Sequence, residues 1–394
     1  DDGKIYLTEN GGKNWVEISK NIKQMPEGSW IAQIKASNKN EGTAFVVAND
    51  YRRFNYSPYV FKTTNYGKSW TRVVDEKDVN SFALSIVEDP ETENLLFLGT
   101  DEGLYFSINA GDQWVKFHSE VFPTVSTKDL VIHPRENDLV IGTFGRAAWV
   151  LDDVRPLRAI AKNPEILQKP LHMFHPPSAY LAAYQQPTGS RFGGDALYNA
   201  ENRKFGSMLT YFYRADTPSI DSGDPKESIK KSDSLTLSIY DGDRLIRTLK
   251  KKAPKKTGLY RWYWTLNEKG VKRPSRTKRK SKNEPRGVTV KPGTYQAVIR
   301  SKAQESKVSV LVKTDPRIEI SSKTLEDRYN YLKKLESYTE ITGKAVDQLL
   351  ESKATLAEYK KRIKAQDREG QKELLTEMKH ATKTIDNLIY TFIG

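Results

Sequence analysis

The chain contains no cysteine, which removes disulfides, thiolate metal ligands and cysteine nucleophiles from consideration. It has no apolar run approaching the roughly 18 residues that a membrane-spanning helix needs. Histidine is scarce, with five in 394 residues. Only His172 and His175 lie close together, and the Pro176-Pro177 pair behind them argues against a ligand-bearing helix. No metal and no organic cofactor is expected. The opening residues, Asp1-Asp2-Gly3-Lys4-Ile5-Tyr6, lack the basic start and apolar stretch of a signal peptide. They read as the inside of a strand pair, so the expectation is that further chain precedes them. The missing leader therefore does not argue for the cytoplasm.

Acidic residues are outnumbered, and the net charge is +14. Residues 250–256 hold five lysines and no acid, and residues 269–286 hold nine Lys/Arg against Glu284, together +13 of that +14. The basicity belongs to two loops and not to the fold. They flank one strand, 259–266, and should leave it about 25 Å apart at roughly 3.3 Å per residue. No aromatic is interleaved with the longer one. Both read as solvated loops, with adhesion to anionic surface polymers the second reading, and nucleic acid is not an expected partner.

What the chain does have is an internal repeat. Thr8-Glu-Asn10-Gly-Gly12-Lys-Asn-Trp15 recurs as Thr63-Thr-Asn65-Tyr-Gly67-Lys-Ser-Trp70 and as Ser107-Ile-Asn109-Ala-Gly111-Asp-Gln-Trp114. The tryptophans are 55 and 44 residues apart, a spacing that suits four-stranded propeller blades. Each copy follows a short alternating strand. Asn bonds its own downstream backbone, Gly supplies positive φ, and Trp opens the outgoing strand. A fourth unit, residues 138–151, keeps the strands without the motif and reads as a closing blade. Residues 1–157 are therefore expected to form the last three or four blades of a β-propeller. Rings of this kind need about four to eight, so the others are expected upstream.

The repeats resemble Asp boxes with Asn in place of the usual Asp, an element of sialidases, sortilin-type receptor ectodomains and xyloglucanases. The run Gly142-Thr-Phe-Gly-Arg146-Ala-Ala-Trp-Val-Leu-Asp152-Asp153 resembles the final blade of bacterial sortilin-like propeller proteins often labelled glycosyl hydrolases. Leu171-His-Met-Phe-His-Pro-Pro-Ser-Ala-Tyr180 resembles the linker of that group, here taken as residues 158–204.

From residue 205 to 316 the period stays at two. An Asp-Gly turn at Asp241-Gly242 joins two strands, and a strand ending Trp262-Tyr-Trp264 precedes Pro292-Gly-Thr-Tyr295. This pattern resembles the immunoglobulin-like sandwich of flagellar hook-capping proteins. The polar stretch 215–233 reads as a surface loop. Over 317–394 the period becomes helical. Thr324-Leu-Glu-Asp327 reads as a helix start, with apolar stripes at Leu325, Leu332, Leu335, Val346 and Leu349, then at Leu374, Met378, Ala381, Ile385, Leu388 and Phe392. These predict an antiparallel helical hairpin. The expected fold class is mainly β: partial propeller, immunoglobulin-like sandwich and C-terminal helical hairpin.

No catalytic constellation stands out. Asp50, Asp101 and Asp152, each near a strand end, are the candidate acids of a glycosidase, and for each a turn or cap role competes. A sialidase would use an arginine cluster and a tyrosine, for which Arg52, Arg53, Arg146, Tyr51 and Tyr56 are the nearest candidates. The same five are also the best ligand-binding candidates, because rings beside guanidiniums suit peptide or sugar. The bland reading is a loop packed on a neighbouring blade. The sequence thus points to an extracytoplasmic, envelope-associated protein that binds protein or peptide partners or acts as a scaffold. An exported glycoside hydrolase whose catalytic acids lie partly in the blades expected upstream is the alternative, and association with an outer-membrane complex is a third reading.

Overall fold

The computed structural model describes residues 2–182, 203–215, 234–277, 284–365 and 369–393. The chain divides into two compact units, Asp1–Pro170 and Leu171–Gly394. Parts of three stretches discussed above, 183–202, 216–233 and 278–283, lie outside the described residues.

The N-terminal unit is a stack of separate small sheets. β1 (Tyr6–Leu7) pairs with β2 (Val16–Glu17). The next sheet is β3 (Trp30–Ala36), β4 (Ala44–Asp50), β5 (Asn55–Thr63) and β6 (Thr71–Arg72), in that order. A second sheet holds β7 (Ala83–Asp89), β8 (Thr92–Thr100), β9 (Gly103–Ser107) and β10 (Val115–Lys116). A third has β11 (Thr127–Ile132), β12 (Leu139–Thr143) and β13 (Ala148–Leu151). Every neighbouring pair within these sheets is antiparallel.

Period-two side chains explain the stacking, because successive residues of a strand point to opposite faces. On β4, Val46 and Ala48 pack with Ile5, Ile22 and Phe61 on one side. Phe45 and Val47 pack on the other with Ile86, Leu96 and Leu98 of the next sheet. On β8, Leu95 and Phe97 meet Leu130 and Ile141 of the sheet after that. The apolar stretches of β4 and β8 are buried on both faces, so they read in sequence as unbroken apolar runs. The first strands converge: the Gln33 side chain accepts the Ile86 N–H at 2.8 Å and donates to Asp129 at 3.4 Å, tying β3, β7 and β11 together.

The three repeats fold alike. The Thr8, Thr63 and Ser107 hydroxyls accept the N–H groups of Gly12, Gly67 and Gly111 at 2.8, 3.0 and 2.9 Å. The Oδ1 atoms of Asn10, Asn65 and Asn109 accept the N–H groups of Asn14, Ser69 and Gln113 at 2.9, 3.0 and 3.0 Å. All three glycines have positive φ, +91°, +76° and +101°. Trp114 is buried and its indole N–H reaches the Val73 carbonyl of the preceding sheet at 2.8 Å, whereas Trp15 is exposed.

Within the stretch 158–204, the described residues 158–182 carry regular structure. α1 (Arg155–Lys162) lies on the N-terminal unit, where the buried Arg158 grips Asp89 through Nε at 2.8 Å and a terminal nitrogen at 2.7 Å. β14 (Leu171–Met173) and β15 (Ala179–Leu181) are sandwich strands. The reason is non-local: a buried carboxylate at the end of β7 and two open sheet edges recruit what local composition leaves neutral.

The C-terminal unit contains a two-sheet sandwich. β14 joins β16 (Ser207–Tyr213) and β19 (Gly258–Trp264) in one sheet. The other runs β15, β23 (Gln304–Thr314), β22 (Gly293–Ser301), β17 (Ser234–Asp241), β18 (Arg244–Lys252). Leu209, Tyr211, Leu237, Trp264, Tyr295 and Ile299 fill the space between them. A short hairpin of β20 (Asn267–Lys269) and β21 (Arg286–Thr289) flanks α2 (Ser322–Lys364). Gly343 of α2 comes so close that a Cβ there would sit 3.0 Å from the Lys272 carbonyl. α3 (Gln371–Ile393) runs back along α2, as the Lys353–Asp386 ion pair and the Gln371 to Ile363 hydrogen bond require.

Three expectations change here. α2 starts earlier than Thr324, because Ser321 caps it by accepting the Thr324 N–H at 3.1 Å. The buried row of α3 passes through Met378 and Ile389, while Leu374, Leu388 and Phe392 are exposed. That helix has two adjacent apolar rows, and α2 takes the other one. The lysines at 250–252 belong to β18 and not to a loop. Lys251 packs its ammonium over the rings of Tyr211 at 4.9 Å and Trp262 at 4.4 Å, and burial pushes its pKa down.

Candidate functional site

Strand direction decides which candidates share an end of the sheet stack. In each antiparallel sheet the hairpin between the second and third strands lies at the end where the first strand begins. The Asn-Gly-Trp turns follow the third strand and lie at the opposite end. Asp50 closes β4, Asp101 follows β8, and Arg146 sits in the turn between β12 and β13. These three therefore share one end, together with Tyr51, Arg52, Arg53 and Tyr56. Asp152 follows β13 and leaves at the other end, so it is not grouped with Asp50 and Asp101.

The β4–β5 hairpin builds most of the site. Tyr51–Arg53 form one 3-10 turn, closed by Phe54 in the left-handed region at φ +62°. That conformation costs a bulky residue about 1–3 kcal/mol, and Phe54 is 85 % exposed. Tyr51 stacks on Phe82 at 4.8 Å and meets Trp30 edge-on at 6.4 Å. The Arg52 guanidinium lies 5.0 Å from the Trp30 ring and 5.8 Å from that of Tyr51. Tyr56, 54 % exposed, tilts toward Phe82 at 6.1 Å.

The Asp50 carboxylate is committed to structure, whereas Asp101 is tied down only through its backbone. Arg53 donates to Asp50 at 2.6 Å and to the Glu27 carbonyl. The Asp101 N–H donates to the Phe82 carbonyl at 3.2 Å, which links Asp101 to the aromatic stack. The side chain of Asn49 is buried, donates to the Ala83 carbonyl at 3.4 Å, and leaves Oδ1 without a partner among the described residues. An open groove of about 470 Å³ runs beside this hairpin, lined by Phe54, Tyr56, Pro58, Glu76 and Asn80. The Ser57 hydroxyl, with smaller help from Arg72, holds the Glu76 carboxyl below its usual range. Two sheets along, Phe144 is 74 % exposed with Lys128 5.8 Å from its ring centre, and Arg146 is exposed beside it.

Trp30, Phe54, Phe82 and Glu76 were not singled out from sequence. The alternation of β3 and β7 could have placed Trp30 and Phe82 at the strand starts, but nothing local marks Phe54 as left-handed. Among the described residues no group of three His, Asp or Glu side chains is arranged to hold a metal. His172 lies in β14 with its ring 5.0 Å from Phe174, and His175 is exposed. No described helix is long and apolar enough to cross a membrane.

Residues 58–153 match the family model described as sortilin, neurotensin receptor 3. That segment is similar to the sortilin type of propeller, over less than half of the chain. No protein with a curated description matches the chain. Among solved structures, similarity extends to a GH74 enzyme of Niastella koreensis, with 17 % identity, 39 % of this chain and 26 % of that one, and a TM-score of 0.30. It extends also to the GH74 xyloglucanase of Xanthomonas campestris, with 14 % identity, 79 % of this chain and 41 % of that one, and a TM-score of 0.33. An ancestral GH74 enzyme shares 14 % identity over 64 % of this chain and 31 % of its own, with a TM-score of 0.26. The chain spans between a quarter and about two fifths of the length of these enzymes. At these scores the likeness says nothing about activity.

Proposed function

We propose that this is an extracytoplasmic, envelope-associated protein whose propeller end, built around the β4–β5 hairpin, binds a protein or peptide partner. The carrying observation is Phe54: a bulky ring held left-handed and 85 % exposed, beside the Trp30–Tyr51–Phe82 stack under Arg52. Strain of this kind persists where the surroundings over-determine it, and it clusters at ligand clamps. Rigid rings with a guanidinium are what protein interfaces use as anchors. The sandwich, which we read as immunoglobulin-like of the hook-capping type, and the helical hairpin would serve as a docking module. Exposed Tyr331, Tyr338 and Ile341 on α2 favour a place for that module in an outer-membrane assembly.

The test is a photo-crosslinking residue at position 56 of the full chain, exposed to an envelope fraction. A polypeptide adduct is expected, and it should disappear in Phe54→Asp and Arg52→Glu. The hydrolase alternative rests on Asp50 and Asp101 sharing the same end. Turnover of a glycan by the full chain, lost in Asp50→Asn or Asp101→Asn, would replace the binding reading.

A further inference from the structure

One cleft of the C-terminal unit is remote in chain position from every residue discussed above as a site. It is an open cleft of about 650 Å³, within the range of small-molecule sites. One wall comes from the end of β15, the β21–β22 connection and the end of β23, and the other from the first turns of α2.

Its walls are aliphatic and aromatic. Leu181 and Val290 come from the sandwich, Ile318 and Ile320 from the segment leading into α2, and Leu325 and Leu332 from α2 itself. Ile318 is 60 % exposed and Ile320 38 %. These are large apolar side chains that a chain burying only its own core would not leave at a concave surface.

The charges around this apolar floor are predominantly positive. Arg203, Lys291 and Arg328 line the cleft, and the single lining acid is Asp315. Asp315 is already neutralised by Arg317 at 2.5 Å. Lys291 makes a partly exposed pair with Glu326 at 3.3 Å, an arrangement that contributes little. Arg328 has no ion pair with any described residue. The Tyr329 hydroxyl is turned away, donating to Glu268 at 2.6 Å, so the ring offers the cleft mainly its apolar surface.

We propose that this cleft binds a single-chain alkyl amphiphile with an anionic headgroup. The alkyl chain would lie on Leu181, Ile318, Ile320, Leu325 and Leu332, and the headgroup would meet Arg328 and Lys291. Charge complementarity selects an anion. The chemistry of the walls selects an alkyl chain over a peptide, because a peptide brings backbone N–H and C=O groups that must be satisfied when buried. Hydrocarbon has no such requirement.

The test is calorimetric titration of the full chain with dodecanoate, below its micellar concentration, against dodecyltrimethylammonium and acetate. Dodecanoate is expected to bind one per chain, and the other two not to bind. Arg328→Glu should weaken dodecanoate about tenfold or more, the loss of roughly one charge-assisted contact. Arg328→Lys should stay close to the parent. Ile318→Asp, at an exposed position outside any helix or strand, should weaken it with an unchanged melting temperature. Equal binding of the cationic amphiphile, absence of dodecanoate binding, or indifference to both Arg328→Glu and Ile318→Asp would overturn the assignment. So would binding that appears only after residues 183–202 are replaced by a Gly-Ser linker, since the protein's own chain would then be the occupant. None of these outcomes bears on the crosslinking result at position 56.

Discussion

Asn109 is the position at which the repeat's physics can be read most directly. Its Oδ1 accepts two hydrogen bonds, from the Gln113 N–H at 3.0 Å and from the Ser107 hydroxyl at 2.8 Å. Asn109→Ala removes both. Each is worth about 0.5–1.5 kcal/mol net, and the Gln113 amide is exposed, so the loss should fall at about 1–2 kcal/mol. Asn109→Asp keeps both acceptors and should cost less than about 0.5 kcal/mol. Gly111→Ala attacks the same turn differently. It places a side chain at φ +101° with its Cβ 3.1 Å from that of Val73. Strained backbone alone costs about 1–3 kcal/mol, so this variant should be at least as damaging as Asn109→Ala. Hydrogen–deuterium exchange over residues 104–117 reads the turn locally, without assuming that two units unfold together. Protection should fall about 5–30-fold in Asn109→Ala and stay near the parent in Asn109→Asp. Equal effects of Ala and Asp, or no effect of Ala, would refute the view that acceptor geometry makes this turn.

The buried pair between α1 and β7 gives a larger effect. Arg158→Met should destabilise the N-terminal unit by about 3–5 kcal/mol in urea, because it strands the fully buried Asp89 carboxylate. Adding Asp89→Asn should recover at least about 1 kcal/mol of that, and a single-variant loss below about 1 kcal/mol would contradict it. In the C-terminal unit, burial pulls the Glu268 carboxyl upward, but hydrogen bonds from Tyr329, Arg244 and Lys333 outweigh it and hold it low. A depressed carboxyl stabilises above its unfolded pKa, near about 4.3, and the contribution is lost as pH falls through the folded value. The melting temperature of Glu268→Gln should therefore lie below the parent at neutral pH, and the gap should close in acid. A gap independent of pH would assign the effect to packing alone.

What the sequence exposes is local, and what it hides is not. The Ser/Thr-x-Asn-x-Gly-x-x-Trp turn is legible because every bond that defines it spans four residues or fewer. β4 and β8 are legible because burial on both faces leaves an apolar run. Arg158 is not, since its partner Asp89 is 69 residues away. Lys251 reads as a solvated lysine until Tyr211 and Trp262 arrive from the facing sheet. The row of α3 that α2 covers is hidden too, because Leu374 and Leu388 compete with Met378 and Ile389 on one helix.

The acids show how the two kinds of information combine. Asp50, Asp101 and Asp152 look equivalent as residues near strand ends. Counting strands separates them, because direction alternates in an antiparallel sheet: Asp50 and Asp101 follow second strands, and Asp152 follows a third. Parity alone places Asp152 with the Asn-Gly-Trp turns. It also gathers Arg146 with Tyr51, Arg52, Arg53 and Tyr56 at the other end. Parity cannot say that Arg53 folds back on Asp50, or that Phe54 turns left-handed to put its ring in solvent. Those depend on the five-residue reach from Asp50 to Asn55, which the β4–β5 pairing closes. A carboxylate consumed by its own hairpin and a ring pushed out by it are two results of one closure, which takes Asp50, but not Asp101, out of the set of free acids.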